Sequence, residues 1–316
     1  MDRLSVAALS LFLFAAWSAH AGPLAGKAEA ASAAGATHVE GIDGWRFLPA
    51  ELRFVEKLAS PEIKSLVEPA ATAITDFSAQ LKGAGITLVV LPVPPKALVQ
   101  SASLEIPSED REKMRAGWEN IIADLTAQGV QTIDLLAEYA AASDPAYCLR
   151  DTHWSGPGIA TAVARLMPLV KSAGVEAKEQ AAPSEWNELK IQGDLGGAPE
   201  TVKLRLQSGH GAVGAQGPVL LVGDSHVLVF HEGGEMHASG AGLPEQLGAA
   251  LGSQPHTIGV RGSGATNSRL QLARRLRSRP DFLAGKKLII WVFAGREFTE
   301  ADTWKKIPIF PKKPSA

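Results

Sequence analysis

Three short and almost wholly apolar runs constrain the fold of this chain more than any other feature of its sequence. They span residues 86–91, 219–222 and 288–293, and each contains β-branched residues. Apolar runs without polar alternation are typical of strands that are buried on both faces, as in parallel sheets. Segments with helical periodicity separate the runs, so we expect an α/β fold, a mostly parallel sheet flanked by helices on both faces.

The segments between these runs fit the same plan. Residues 130–133 and 257–260 have the character of further short strands, and helical stripes of apolar residues are predicted in segments 63–81, 114–125, 159–170, 243–251 and 270–277. Pro69 is expected to kink or split the first of these helices, because proline removes a backbone donor. We find no repeat of fixed period and no sharp linker, so residues 38–316 are predicted to form one domain.

The N-terminal residues 1–21 have the pattern of a cleavable secretory signal. Arg3 precedes an apolar run, which ends in Ala19-His20-Ala21. A retained membrane anchor is the alternative, but the run is shorter than the roughly 20 residues that a bilayer span takes. We therefore expect export to the periplasm. Residues 22–37 are rich in alanine and glycine and are interpreted as a flexible lead-in.

The charge balance and the cysteine content exclude some classes of function. Lys plus Arg is 31 and Asp plus Glu is 33, so the chain lacks the basic excess that a nucleic-acid binder uses against phosphate. The single cysteine, Cys148, cannot form an internal disulfide. A packed, inert side chain is favoured for Cys148 over a catalytic thiol.

The first candidate for chemistry is the pair Asp151 and His153, which lies just before a predicted helix. In an extended segment, residues two apart point to the same side, with α-carbons about 6.5–7 Å apart. Asp151 can then hold one ring nitrogen of His153 and leave the other free, which is the arrangement of an oriented general base. A surface Asp beside a His is the ordinary alternative.

The second candidate is Ser225, in the segment Gly223-Asp224-Ser225-His226 that follows the apolar run 219–222. A serine at the carboxyl end of a central strand is well placed as a nucleophile, and backbone N–H groups at a helix start can hold an oxyanion. The alternative is that Asp224 and Ser225 only cap a helix. Because a hydroxyl needs an adjacent base, the two segments together predict a Ser-His-Asp triad.

Gly-Asp-Ser combined with Asp-x-His-Trp resembles the SGNH hydrolase-like polysaccharide O-acetyltransferases, the alginate O-acetyltransferase group. In that family the Asp/His segment precedes the Ser segment, a permuted order that this chain shares. Similar segments are residues 43–48, 93–96, 193–195 and 291–293, so the resemblance covers roughly residues 40–300.

The resemblance implies an SGNH hydrolase-like fold and a periplasmic acetyltransferase with Ser225 as nucleophile, His153 as general base and Asp151 as its orienting carboxylate. The Ser225 N–H would contribute to the oxyanion hole. The acceptor would be an exopolysaccharide such as alginate, a membrane-bound acyltransferase would supply the acetyl group, and no cofactor or metal would be needed. The chain departs from the family at His226, where an apolar or aromatic residue is more usual.

Four further residues are candidates for supporting roles. Gly262 and Gly264 follow the predicted strand 257–260 and are candidate oxyanion donors, with plain turn glycines as the alternative. Arg296 follows the last strand and is a candidate contact for an acidic sugar, with a surface ion pair as the alternative. Trp154 is a candidate for sugar stacking, although packing beneath the active segment is the more ordinary role.

Three alternatives to the acetyltransferase interpretation are open. An acetylesterase would employ the same triad with water as the acceptor, and a non-catalytic component of an export complex would keep only the fold. A divalent metal held by Asp151, His153, Asp224 and His226 is the third, with His231 and His237 nearby. No characteristic zinc spacing is present, so we predict no metal site, and His231 and His237 are interpreted as ordinary loop residues.

Overall fold

A five-stranded parallel sheet forms the centre of the molecule. The structure is a computed structural model that describes residues 22–177, 185–207, 217–262, 264–301 and 303–310. The predicted signal, residues 1–21, lies outside these ranges. The strands of the central sheet are β3 Thr87–Val93, β4 Gln131–Thr132, β7 Val219–Gly223, β10 His256–Gly259 and β11 Leu288–Ala294, numbered along the whole chain. In spatial order they are β10, β7, β11, β3 and β4, and each neighbouring pair is parallel.

Helices cover both faces of this sheet. They are α1 Pro23–Ala33, α2 Pro49–Leu58, α3 Ile63–Gly83, α4 Lys96–Val99, α5 Ser108–Ala127, α6 Leu136–Ala141, α7 Gly156–Ser172, α8 Leu243–Leu251, α9 Gly264–Ser278 and α10 Glu297–Glu300. The predicted strands and helices are confirmed apart from shifts at their ends. Pro69 lies within α3, which continues through it, so of the two predicted outcomes, a kink or a split, the split does not occur.

Successive residues of each central strand enter two different hydrophobic cores. On β11, Ile289 and Trp291 pack with α1–α3, α5 and α9, whereas Ile290 and Val292 pack with α7 and α8. All four side chains are completely buried. Because alternate residues of a strand point to opposite faces, a strand with a core on each side must be apolar throughout. This explains why the three runs are almost wholly apolar.

The segment predicted as a flexible lead-in is instead a helix, α1, docked against α2. Its alanines favour a helix, and Pro23 suits the first helical turn. The carboxylate of Glu56 on α2 accepts hydrogen bonds from the N–H groups of Leu24 and Ala25. Leu24 and Ala28 are buried in the core. The prediction of a flexible lead-in is therefore wrong for this segment, because an alanine-rich composition favours a helix as well as a linker.

Three small antiparallel pairs lie outside the main sheet. β1 Val39–Glu40 pairs with β2 Arg46–Phe47, β5 Asn187–Ile191 with β6 Glu200–Leu204, and β8 Glu232–Gly234 with β9 His237–Ser239. The last two hairpins were not predicted from the sequence. Both reach the carboxyl ends of the central strands, where the candidate residues lie.

Within the described ranges, no helix combines the length and the apolar character that crossing a membrane requires.

Candidate active site

Ser225 lies at the carboxyl end of β7, in the middle of the sheet. It opens a short 3-10 helix, Ser225–Val227, whose cap is Asp224. One carboxylate oxygen of Asp224 accepts the N–H of His226 at 2.9 Å, and the other accepts the N–H of Ala294 at 2.7 Å. These bonds fix the turn to the end of the neighbouring strand β11. Ser225 is therefore presented, partly exposed, from a rigid element.

The backbone N–H of Ser225 makes no hydrogen bond to any of the described residues. An N–H that is free at the start of a helical turn can stabilise an oxyanion on an acyl group attached to the same residue. The geometry is thus compatible with the oxyanion role predicted for Ser225.

The two glycines proposed as further oxyanion donors lie in different surroundings. Gly264 starts α9 against the Ser225 turn, where a Cβ would come within 2.5 Å of the Asp224 Cβ. A larger residue would push α9 away from this turn, which gives Gly264 a packing role. Gly262 lies in an exposed bend with φ 75° and nothing within 4 Å of a Cβ, which is the setting of an ordinary turn glycine.

Asp151 and His153 form the pair that their spacing predicts. Asp151 Oδ1 accepts the backbone N–H of His153 at 2.9 Å and lies 2.6 Å from the ring Nδ1. Both residues are buried. An Nδ1–H that is donated to the carboxylate leaves the lone pair on Nε2, which is the tautomer that a general base needs.

The other oxygen of Asp151 is also occupied. Oδ2 accepts the N–H of Asp194 and lies 2.9 Å from Nε2 of His237. Burial alone would raise the pKa of Asp151, but the hydrogen bonds from His153 and His237 outweigh it, together with the charge of His153 and the Asp194 N–H. The pKa of Asp151 is thereby held well below its ordinary value, so the carboxylate stays ionised at neutral pH.

The loop that carries Asp151 is held by Lys96, from the family-like segment 93–96, and by Glu200, which the sequence did not single out. Nζ of Lys96 donates to the carbonyl oxygens of Leu149 and Asp151 at 3.0 and 2.9 Å. The carboxylate of Glu200 accepts the N–H groups of Leu149 and Arg150, both at 2.6 Å. Burial lowers the pKa of Lys96 to about 8, against the opposing charge of Glu51. Lys96 therefore shapes the loop from beneath.

A close backbone approach fixes the same loop on its other side. A Cβ on Gly193 would collide with the carbonyl oxygen of Arg150, which accepts the N–H of Leu195 at 3.0 Å. Asp194 lies between Gly193 and Leu195, and its carboxylate accepts hydrogen bonds from the N–H and the hydroxyl of Thr152. The Gly193-Asp194-Leu195 segment thus supports the Asp151 loop directly. Motif similarity was the only sequence signal for it.

The fold brings the two candidate segments together. The rings of His153 and His226 lie 5.2 Å apart with an interplanar angle of 63°. His226 directly follows Ser225, so the Asp151–His153 loop and the turn that carries Ser225 meet at the end of β7. In the described part of the chain no hydrogen bond joins Ser225 to His153. Catalytic hydrogen bonds are often long in free enzymes, and they tighten when substrate binds.

Trp154 does not take the position that sugar stacking requires. Its side chain is fully buried, and its ring meets the ring of His226 edge-on at 5.3 Å. A ring without exposed surface cannot stack on a sugar, so the substrate-binding prediction for Trp154 is wrong. The residue instead supports His226 from below. Its position after His153 in a tight loop, bridged to Tyr147, directs it inward.

Arg296 lies at the site, at the carboxyl end of β11. With Thr152 and His226 it lines a small cavity of about 10 Å³. Among the described residues no side-chain partner for its half-buried guanidinium is found, so the surface ion pair considered above is absent there. A guanidinium in this position has donors available for a carboxylate or a hydroxyl.

The residues that could together hold a metal ion differ from the four considered in the sequence analysis. Asp151, His153 and Asp194 place ligand-type atoms within 4.8 Å of one another. In the described ranges, Asp224 and His226 do not join this group, since they form a hydrogen-bonded pair of their own with Nδ1 and Oδ1 3.0 Å apart. The Nδ1 of His153 already faces Asp151 Oδ1 at 2.6 Å.

The remaining candidates lie in ordinary surroundings. Cys148 is buried, and burial raises the pKa of its thiol well above the ordinary value, so it is neutral at physiological pH. His231 pairs with Glu245 at 2.5 Å, as a loop residue does. His237 contradicts the interpretation as an ordinary loop residue, because it contacts Asp151. No local sequence signal points to His237, which comes from a hairpin far along the chain.

Opposite titration of the two neighbouring histidines is a testable result of this geometry. Burial favours the neutral form of both rings, but Asp151, with Asp194 and Asp224, raises the pKa of His153 above the ordinary value of a histidine. At His226 burial and the nearby cations His153 and Arg296 outweigh Asp224 and lower the pKa. NMR titration of the ring nuclei, assigned with His226→Gln, should show His153 titrating at the higher pH. Equal midpoints or the reverse order would contradict the described geometry.

Comparison with known proteins gives a family match and structural neighbours. The family described as "SGNH hydrolase-like domain, acetyltransferase AlgX" matches residues 39–213, a range that includes Asp151 and His153 and ends before Ser225. No curated protein sequence matches the chain.

Two solved structures share the fold at low sequence identity. The O-acetyltransferase domain of Pseudomonas putida AlgJ is 22% identical with a TM-score of 0.60, and the match covers 85% of this chain and 93% of that one. Pseudomonas aeruginosa AlgX is 20% identical with a TM-score of 0.54, and the match covers 77% of this chain and 61% of AlgX. The predicted SGNH hydrolase-like α/β fold is confirmed.

Proposed function

Because the chain belongs to the family of SGNH hydrolase-like domains of the acetyltransferase AlgX, we propose that it is a polysaccharide O-acetyltransferase acting through Ser225. One observation carries the proposal. A buried histidine, oriented by a carboxylate at 2.6 Å, lies beside the residue that follows a serine at a central strand end. This arrangement supports nucleophilic acyl transfer.

The reaction would proceed in two steps. Oγ of Ser225 attacks the carbonyl carbon of an acetyl ester while Nε2 of His153 accepts the hydroxyl proton. The tetrahedral oxyanion is stabilised by the Ser225 N–H, and its collapse breaks the bond to the donor oxygen, which takes the proton from His153. An acceptor hydroxyl then attacks the acetyl-Ser225, gives its proton to His153 and leaves as an O-acetyl ester, and the proton returns to Ser225.

The acceptor proposed for this site is an exopolysaccharide such as alginate. Arg296 supports an acidic sugar, because its unpaired guanidinium lines the cavity beside His226. The proposed location is the periplasm, to which residues 1–21 would direct the chain as a signal peptide. A membrane-bound acyltransferase would deliver the acetyl group there. Esterase activity with the same triad remains the second candidate, because water and a sugar hydroxyl compete for the same acyl-enzyme.

The proposal is tested by mass spectrometry of the purified protein mixed with a chromogenic acetyl ester. We expect one added acetyl group on the peptide that contains Ser225, because the acyl-enzyme precedes transfer. The Ser225→Ala variant should not be labelled there. Labelling of both proteins at other positions only would show that Ser225 is not the nucleophile.

A second arm of the experiment separates the candidate activities. Alginate added to the ester reaction should become acetylated, and the release of the chromophore should increase. Fast release with no acetyl on the polymer would favour the esterase. No release and no polymer acetylation with wild-type protein would favour a non-catalytic component. Activity that a chelator abolishes would favour the metal interpretation.

A further inference from the structure

We infer that His237 is a positioning residue of this centre, holding the second carboxylate oxygen of Asp151 and so setting how strongly Asp151 binds His153. The inference rests on the proposed function, which it deepens by one residue. His237 acts through Asp151 and has no contact with the reacting atoms.

The contact uses the carboxylate oxygen that His153 leaves free. Nε2 of His237 lies 2.9 Å from Oδ2 of Asp151, while Oδ1 serves His153. With the N–H of Asp194, four donors then surround one carboxylate, which is the number of acceptor sites it has. The His237 side chain is only 9% exposed. Loss of this donor would leave Oδ2 with the Asp194 N–H alone, so one acceptor position of a buried carboxylate would have no donor.

The backbone at His237 is a second, independent observation. Its φ is 68°, in the left-handed region that glycine normally occupies. A residue with a Cβ is uncommon there and persists when the surroundings over-determine it. A glycine would meet the turn requirement alone, so the imidazole has a reason to be present. The only polar contact of the ring in the described residues is Asp151, and Phe230 packs on it with centroids 5.7 Å apart.

The hairpin that carries His237 is fixed separately on its outer side. Arg261 binds Glu232 at 3.0 Å and Glu235 at 2.7 Å, and both acids belong to the β8–β9 hairpin. Removal of Arg261 deletes only these solvent-exposed ion pairs, which contribute little stability, and leaves the contact between His237 and Asp151 in place. Arg261→Ala is therefore a matched control for structural effects, and we expect it to keep the activity and the pH profile of the wild type.

The test compares His237→Gly, His237→Gln and Arg261→Ala in the purified full chain. Glycine suits the backbone and removes the donor, whereas the glutamine amide retains one. We expect His237→Gly to lower kcat about tenfold with KM nearly unchanged, because a less firmly held Asp151 positions the general base less well. Without the His237 donor, Asp151 pulls harder on His153, so the acid limb of the kcat/KM profile should move to higher pH. The other titratable groups around the pair stay unchanged; they are Asp194, Asp224, His226, Glu200 and Lys96. His237→Gln should restore most of the kcat and return the acid limb close to its wild-type position.

The outcomes separate this inference from the proposed function. If wild-type protein shows no Ser225-dependent transfer, the proposed function fails, while NMR titration of His153 in His237→Gly still tests the inference. If the wild type is active and His237→Gly keeps both its kcat and its acid limb, the inference is wrong. A loss shared equally by Arg261→Ala, with no shift in the profile, would also overturn it. Should His237→Gly not fold, His237→Asn, which also tolerates a left-handed backbone, replaces it.

Discussion

Replacement of Ser225 by alanine is expected to lower kcat/KM for acetyl transfer by at least about a thousandfold. The hydroxyl is the only atom of the site that would bond to the acetyl carbon, so no acyl-enzyme forms without it. What remains would come from the oxyanion donor and from substrate binding. The assay measures chromophore release and polymer-bound acetyl groups. Circular dichroism should stay unchanged, because the partly exposed side chain makes no hydrogen bond to the described residues.

A matched control comes from a serine remote from the site. Ser65 is exposed near the start of α3, and Ser65→Ala should behave as wild type. Retention of a tenth or more of the activity by Ser225→Ala would mean that another group attacks the ester. The proposed chemistry would then be wrong even though the fold is right.

Replacement of Asp151 by asparagine is expected to cost about 10³–10⁴ in kcat, with little change in the fold. The carboxylate accepts four hydrogen bonds, whereas an amide has one oxygen and a nitrogen that donates. At least one of the present donors would then face another donor. His153 would lose both its orientation and the charge that stabilises its protonated form.

The pH profile distinguishes this effect from simple damage. In the wild type, Asp151 raises the pKa of His153 against the effect of burial. Without the negative charge of Asp151, the lowering of the His153 pKa by burial loses its main opposing effect. The acid limb of the residual activity should therefore move to lower pH. Asp194→Asn serves as the control, because Asp194 lies 4.0 Å from Nδ1 of His153, and its change should be smaller. A residual activity with the wild-type acid limb would show that Asp151 does not act on the base.

The sheet and its edge were predictable from sequence, because strands buried on both faces are marked by apolar residues alone. Residues 219–222 and 288–293 became β7 and β11, and the serine after the first run lies where the parallel arrangement requires. The Asp151–His153 contact followed from the two-residue spacing. Both inferences depend only on the geometry of a few consecutive residues, which the sequence specifies without contacts from distant segments.

The surroundings of the pair were not predictable, because they depend on contacts distant in sequence. Lys96, Glu200 and His237 come from three separate elements and meet only at the Asp151 loop. Trp154 shows the converse. Its neighbour His153 faces the site, whereas Trp154 turns into the core, and a tight loop reverses direction within one residue.

The two halves of the centre depend on different parts of the molecule. Ser225 belongs to the middle of the large sheet, whereas the Asp151 loop relies on residues 193–200 and on His237, all carried by two-stranded hairpins. Small units of this kind open at lower free energy than a central sheet. Warming can therefore abolish turnover reversibly while far-ultraviolet ellipticity still reports an intact protein, and the temperature of half-inactivation will lie below the melting temperature.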